Sequence, residues 1–194
     1  MHPAFQHNNY IIKRKGLSTS KFRICNPKGD LLLYAEEKIQ WKSPFTTTIR
    51  FFSDEDKTQE VLLVTDGRHS EYSNFLEVTD PAAGGKAGGV GGDWSNWFED
   101  AWAVAGPDGQ TTCTLREPGT GRAILSQLTD GLISQKLNFM VGEQVIGELR
   151  QKASLIGHQL LVDLGKDTAG KLDRRLALVA AVVVAAHQAA NQAD

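Results

Sequence analysis

The sequence predicts a mainly β chain, about twelve strands closed into an antiparallel barrel around one hydrophobic C-terminal helix. Two observations lead there. Short apolar or alternating runs, separated by turn signals at hairpin spacing, fill most of the 194 residues. The run Leu176 to Ala186 differs from them, with eleven consecutive apolar residues and no polar stripe. A helix that is hydrophobic all round must be buried on every side. This one is too short for a bilayer, which needs about 20 apolar residues. A β chain ending in such a helix implies a sheet wrapped around it.

The elements follow in order. Tyr10–Arg14 is a first strand. Lys21–Cys25 alternates polar and apolar, Asn26–Asp30 turns the chain, and Leu31–Ala35 returns. Thr46–Phe52 is rich in β-branched and aromatic residues, Ser53–Lys57 is a turn, and Glu60–Val64 is the next strand. Asn74–Thr79 ends at Asp80-Pro81. Gly84 to Gly92, with six glycines in nine residues, reads as a mobile loop. Trp102–Ala105 leads into the turn Gly106-Pro-Asp-Gly109, and Gln110–Leu115 returns. Leu137–Val141, Val145–Arg150 and Gln159–Asp163 complete the strands. The helix is expected over about 172–189, with Asp173 as its cap or in its first turn, where negative charge suits the helix dipole. Five Ala and four Val in the apolar run suit the limited room of a lumen. An ordinary core helix against a sandwich is the alternative. The expected organisation is a flexible tail over residues 1–9, one domain over 10–190 and a tail over 191–194.

Composition narrows the function classes. A chain of this size can bury one sizeable core. The net charge of −2 with 23% charged residues lacks the basic surplus of a general nucleic-acid binder, so no nucleic-acid partner is expected. Cys25 and Cys113 stand far apart and outside any C-x-x-C pattern, as reduced thiols of a cytoplasmic protein would. Met1–Asn9 lacks a charged region followed by an apolar run, so no signal peptide is expected. With no transmembrane span either, the expected location is cytoplasmic, with a peripheral place at the inner membrane surface.

No motif carries an enzymatic chemistry. Gly85-Lys86 is followed by Ala87, and position 80 is Asp, so the phosphate loop G-x-x-x-x-G-K-[ST] is incomplete. Trp94 replaces the third glycine of G-x-G-x-x-G. A calcium loop from Asp163 would carry Gly165 at its third position and Arg174 at its twelfth, which repels a cation. Asp66, His69, Ser70 and Glu71 crowd one turn, whereas a nucleophilic triad draws on separated elements. The histidines lack ligand spacing, and His187, after the apolar run, reads as a helix-end residue. No catalytic residue, metal or cofactor is expected.

Two clusters remain as binding candidates. Lys13-Arg14-Lys15 is the densest basic run, and on a strand Lys13 and Lys15 share one face. Two cations on one face can hold a phosphate head group; they also protect an edge strand from pairing. Trp94, Trp97, Phe98 and Trp102 place four aromatic rings in nine residues. Exposed, they would anchor at a membrane interface; packed, they would plug a barrel rim.

The order of these pieces resembles the tubby-like superfamily, in its phospholipid-scramblase and LURP-one-related branch. Val78-Thr-Asp80, the glycine stretch and Trp102-Ala-Val104 match one part of that pattern. Ile146-Gly-Glu-Leu-Arg-Gln-Lys152 and Leu172-Asp-Arg-Arg-Leu-Ala177 match its closing segments. The resemblance implies a twelve-stranded barrel threaded by the C-terminal helix. It also implies a connection to membrane lipid. The calcium-loop residues, palmitoylated cysteine cluster and Pro-rich tail of scramblases are not reproduced. The expected function is a non-enzymatic module binding an anionic phospholipid head group through Lys13, Lys15, Lys21, Trp94 and Trp97. The alternative is a structural or regulatory protein-interaction module without lipid binding. A small hydrolase on an unusual barrel is a third class.

Overall fold

The structure is a computed structural model and describes residues 1–15, 21–39, 47–67, 75–91, 102–118, 136–152 and 159–190. Its twelve strands are β1 (Asn9–Arg14), β2 (Lys21–Cys25), β3 (Leu31–Ile39), β4 (Thr47–Phe52), β5 (Glu60–Asp66), β6 (Phe75–Asp80), β7 (Gly85–Gly91), β8 (Trp102–Ala105), β9 (Thr111–Arg116), β10 (Lys136–Val141), β11 (Gln144–Lys152) and β12 (Gln159–Asp163). One helix, α1 (Arg174–Ala190), follows. Each strand pairs antiparallel with its sequence neighbour, and β1 pairs with β12 to close the barrel. Closure leaves no unpaired strand edge. The architecture is a barrel, and the sandwich alternative does not apply.

Alternation sets the two faces of the sheet. Tyr10 and Ile12 of β1, Phe22 and Ile24 of β2, and Leu62 and Val64 of β5 point inward and are at most 1% exposed. Within that lining lies α1, whose residues Leu176 to Val184 are no more than 3% exposed. Small Ala and Val side chains let the helix occupy the lumen at ordinary packing density. Asp173 is its N-cap: the carboxylate accepts from the Arg175 N–H at 2.9 Å, and its carbonyl accepts from Ala177 N–H at 3.0 Å.

The glycine stretch overturns its expected role as a mobile loop. Gly85–Gly91 is strand β7, paired with β6 and β8, and Ala87 to Gly91 are buried. It is also the strand against which α1 packs most extensively. Glycine weakens a strand interior but permits close approach of another backbone. At Gly88, with φ of +147°, a Cβ would overlap the Ala105 carbonyl and lie 2.8 Å from Leu176 Cδ1. At Gly89 the Phe75 ring fills the place of a side chain, 2.5 Å from an ideal Cβ. Periodicity was silent here because glycine has no side chain to alternate.

Residues 1–9, expected as a flexible tail, contain a 3-10 turn over Pro3–Gln6, with Ala4 and Phe5 each 2% exposed. The Tyr10 hydroxyl pins this segment through one shared proton, donated chiefly to the His7 carbonyl at 2.7 Å with the Ala4 carbonyl at 3.1 Å.

Tight connections gather at one end of the barrel, among them residues 26–30, 53–59, 81–84, 106–110 and 142–143. The β12–α1 connection, 164–173, enters the lumen from that end. Asp167 organises it, accepting from the N–H groups of Lys171 at 2.8 Å and Leu172 at 3.0 Å and from Arg174 Nη1 at 2.9 Å.

Candidate functional site

Strand parity places the three predicted lysines on the outside of the barrel. Lys13 and Lys15 point outward, while Arg14, paired with the buried Phe22, takes the inner face. Lys21 and Arg23 of β2 share the outer face. The register sets Lys13 directly opposite Arg23. Like charges opposed across a strand pair repel, so this arrangement is electrostatically unfavourable by itself.

Carboxylates from neighbouring elements answer part of that charge. The β4–β5 turn reaches over the same face, and its Glu55 pairs with Lys15 and, at 2.8 Å, with Arg23 Nε. Glu36 of β3 pairs with Lys21 at 3.5 Å and with Lys57. Under these pairs lie two aromatic rings opposite each other on the outer face, Tyr34 and Phe52. Tyr34 is only 3% exposed, with Lys15 Nζ 5.6 Å from its ring centroid, and Lys57 Nζ is 5.8 Å from that of Phe52. The hydrogen bond from Lys57 holds the Glu36 carboxyl below its ordinary range. The hydrogen bond from Lys15 does the same for Glu55. Asp54 shapes the turn by accepting from Ser53 Oγ at 2.8 Å and from Thr58, whose hydrogen bonds push its carboxyl down to about 2. Lys15 and Lys21 are therefore already engaged within the protein. Lys13 makes no ion pair with any described residue.

A second basic cluster lies on the outside of β10 and β11, and the sequence reading missed it. Glu148, with its side chain 9% exposed, is surrounded by three cations. It accepts from Lys166 at 2.8 Å, from Arg150 Nε at 2.9 Å and from Lys136 at 3.2 Å. Lys166 and then Arg150 push its carboxyl down to about 2. Beside it, Asn138 Oδ1 is buried and has no hydrogen-bond partner among the described residues. A signal existed in the sequence. Lys13-x-Lys15, Lys21-x-Arg23 and Arg150-x-Lys152 each place two cations two residues apart, hence on one face of a strand.

Trp94, Trp97 and Phe98 lie outside the described residues, as do His69, Ser70 and Glu71. Trp102 points into the barrel opposite Leu115 and is 7% exposed, so the described member of the aromatic cluster is packed. Asp163 accepts from the Gly165 N–H at 2.8 Å, and Asp167 is committed to the connection before α1. Among the described residues no three His, Cys, Asp or Glu side chains group as metal ligands. Both cysteines are free and buried, and burial pushes the Cys113 thiol up to about 11. No described helix is long and apolar enough to cross a membrane. Compared with protein-family models, curated proteins and solved structures, the chain shows no match.

Proposed function

We propose that the chain is a non-enzymatic module that binds anionic lipid head groups at a membrane surface, of the tubby-like, scramblase and LURP-one-related type. One observation carries this most directly: Lys13 and Arg23 oppose each other on the outer face, and only Arg23 has a carboxylate partner among the described residues. A site that tolerates like-charge repulsion at rest gains from an external anion. The closed barrel with an internal helix agrees with the architecture that the family resemblance implies. A peripheral location at the inner membrane surface follows from this role. Co-sedimentation with vesicles containing phosphatidylserine or phosphoinositide tests it. Basic residues near anionic lipid contribute about 1 kcal/mol each, so binding should be weak and should fall with rising salt. Lys13→Glu with Lys15→Glu should cut it severalfold.

A second function is a protein-interaction module without lipid binding. The pairing of Lys15 with Glu55 and of Lys21 with Glu36 favours it, since those cations are internally neutralised. Absence of vesicle binding by the unmodified protein at low salt would decide for it.

A further inference from the structure

We infer that the contact face is the barrel seam, the outer side of β11, β12, β1 and β2, and that it docks on an anionic bilayer surface rather than on a single soluble head group. This rests on the lipid-binding function proposed above and deepens it. Barrel closure brings distant cations into adjacent cross-strand rows. In one row Arg23 is opposite Lys13, Lys13 opposite Gln159, and Gln159 opposite Lys152. In the next, Ile11 is opposite Leu161, Leu161 opposite Arg150, and Arg150 opposite Lys136. One row further, Asp163 stands opposite Asn9 and Glu148, so the basic zone has a boundary.

Lys13 and Lys152 form no ion pair with a described residue. The sequences of 16–20 and 153–158, which continue from β1 and β11, contain no Asp or Glu. Geometry favours an extended partner. Neighbouring strands of a closed twelve-strand barrel turn by about 30°, so four strands span about 90°, within reach of a flat surface for long Lys and Arg side chains. At about 4.8 Å per strand the outer cations stand roughly 14 Å apart. That is too wide for one phosphate and suits several head groups. Between the cations lie Ile11 and Leu161, adjacent and partly exposed. Aliphatic side chains suit the boundary between head groups and acyl chains. They offer no stacking platform for bases, which disfavours a single-stranded nucleic acid.

The test compares Lys13→Gln/Lys152→Gln with Lys86→Gln/Arg116→Gln, an equal charge change on β7 and β9, outside the four seam strands. Probes are phosphatidylcholine vesicles containing phosphatidylserine, a soluble inositol trisphosphate and a single-stranded oligonucleotide. Melting curves should be unchanged in the seam variant, because neither lysine forms an ion pair with a described residue. The seam variant should lose vesicle affinity about 25-fold. The control should stay within about twofold, because its charges lie on strands outside the contact face. Vesicle binding that survives in the seam variant, or falls equally in both variants, overturns the seam while leaving lipid binding in place. Soluble inositol trisphosphate or oligonucleotide bound as tightly as vesicles overturns the bilayer assignment. No vesicle binding by the unmodified protein removes both proposals.

Discussion

Arg175 Nη1 lies 2.8 Å from Asp80 Oδ2, joining the first turn of α1 to the end of β6 across 95 residues of sequence. Both side chains are largely buried, at 16% and 7% exposure. A cation in the first turn opposes the helix dipole, and Arg174 and Arg175 place two there. Asp80, Asp167 and Asp173 compensate them. Burial alone would raise the Asp80 carboxyl; Arg175 and the N–H groups of Ala83 and Ala82 more than reverse this and hold it low. The seating of the helix in the lumen is thus tied electrostatically to the wall.

Removing one partner should expose that tie. Asp80→Ala leaves Arg175 with Asp173 alone and also frees the N–H groups of Ala82 and Ala83. A loss of about 2–3 kcal/mol in urea unfolding is expected. A double-mutant cycle with Arg175→Met should give a coupling above ~1 kcal/mol. Additive single effects would show that the pair does not hold the helix.

Gly88→Ala should destabilise the barrel by about 3 kcal/mol or more, because it combines an unfavourable φ with overlap against the Ala105 carbonyl and Leu176. Gly84→Ala, at a turn with open space around its Cβ position, should cost about 1 kcal/mol from its φ of +68°. Equal unfolding midpoints for the two variants would contradict the close approach of α1 to β7.

The Glu148 cluster predicts an acid-dependent loss of stability. Its carboxyl is depressed in the folded state, to about 2. Its contribution is therefore complete above the ordinary carboxyl value of 4.5 and disappears as pH falls toward 2. Lys136, Arg150 and Lys166 are 38–59% exposed, so solvent screening limits the effect to about 1–2 kcal/mol. Glu148→Gln should unfold at lower urea concentration at neutral pH, and the difference should close near pH 2. A gap that is constant with pH would assign the effect to packing.

Glu55→Gln should release Lys15 and Arg23 to external anions. Under the lipid-binding proposal, vesicle affinity at low salt rises about fivefold for one carboxylate removed. Stability should be little changed, as is usual for exposed pairs. Unchanged or weaker vesicle binding would count against the β1–β2 face as the contact surface.

Local physics made much of this chain legible from the sequence. Short apolar or alternating runs between turn signals marked eleven of the twelve strands, and strand parity put Lys13 and Lys15 on one face, because parity depends only on neighbouring residues. The unbroken apolar run from Leu176 to Ala186 required enclosure, because no face of it tolerates water. What sequence could not supply was set by pairing. Glycine carries no parity, so β7 emerged only from its ladders to β6 and β8. The meeting of Lys13 with Lys152 through Gln159, and of Arg175 with Asp80, depends on barrel closure and register. Those are properties of the whole sheet, fixed only when every strand has found its neighbour.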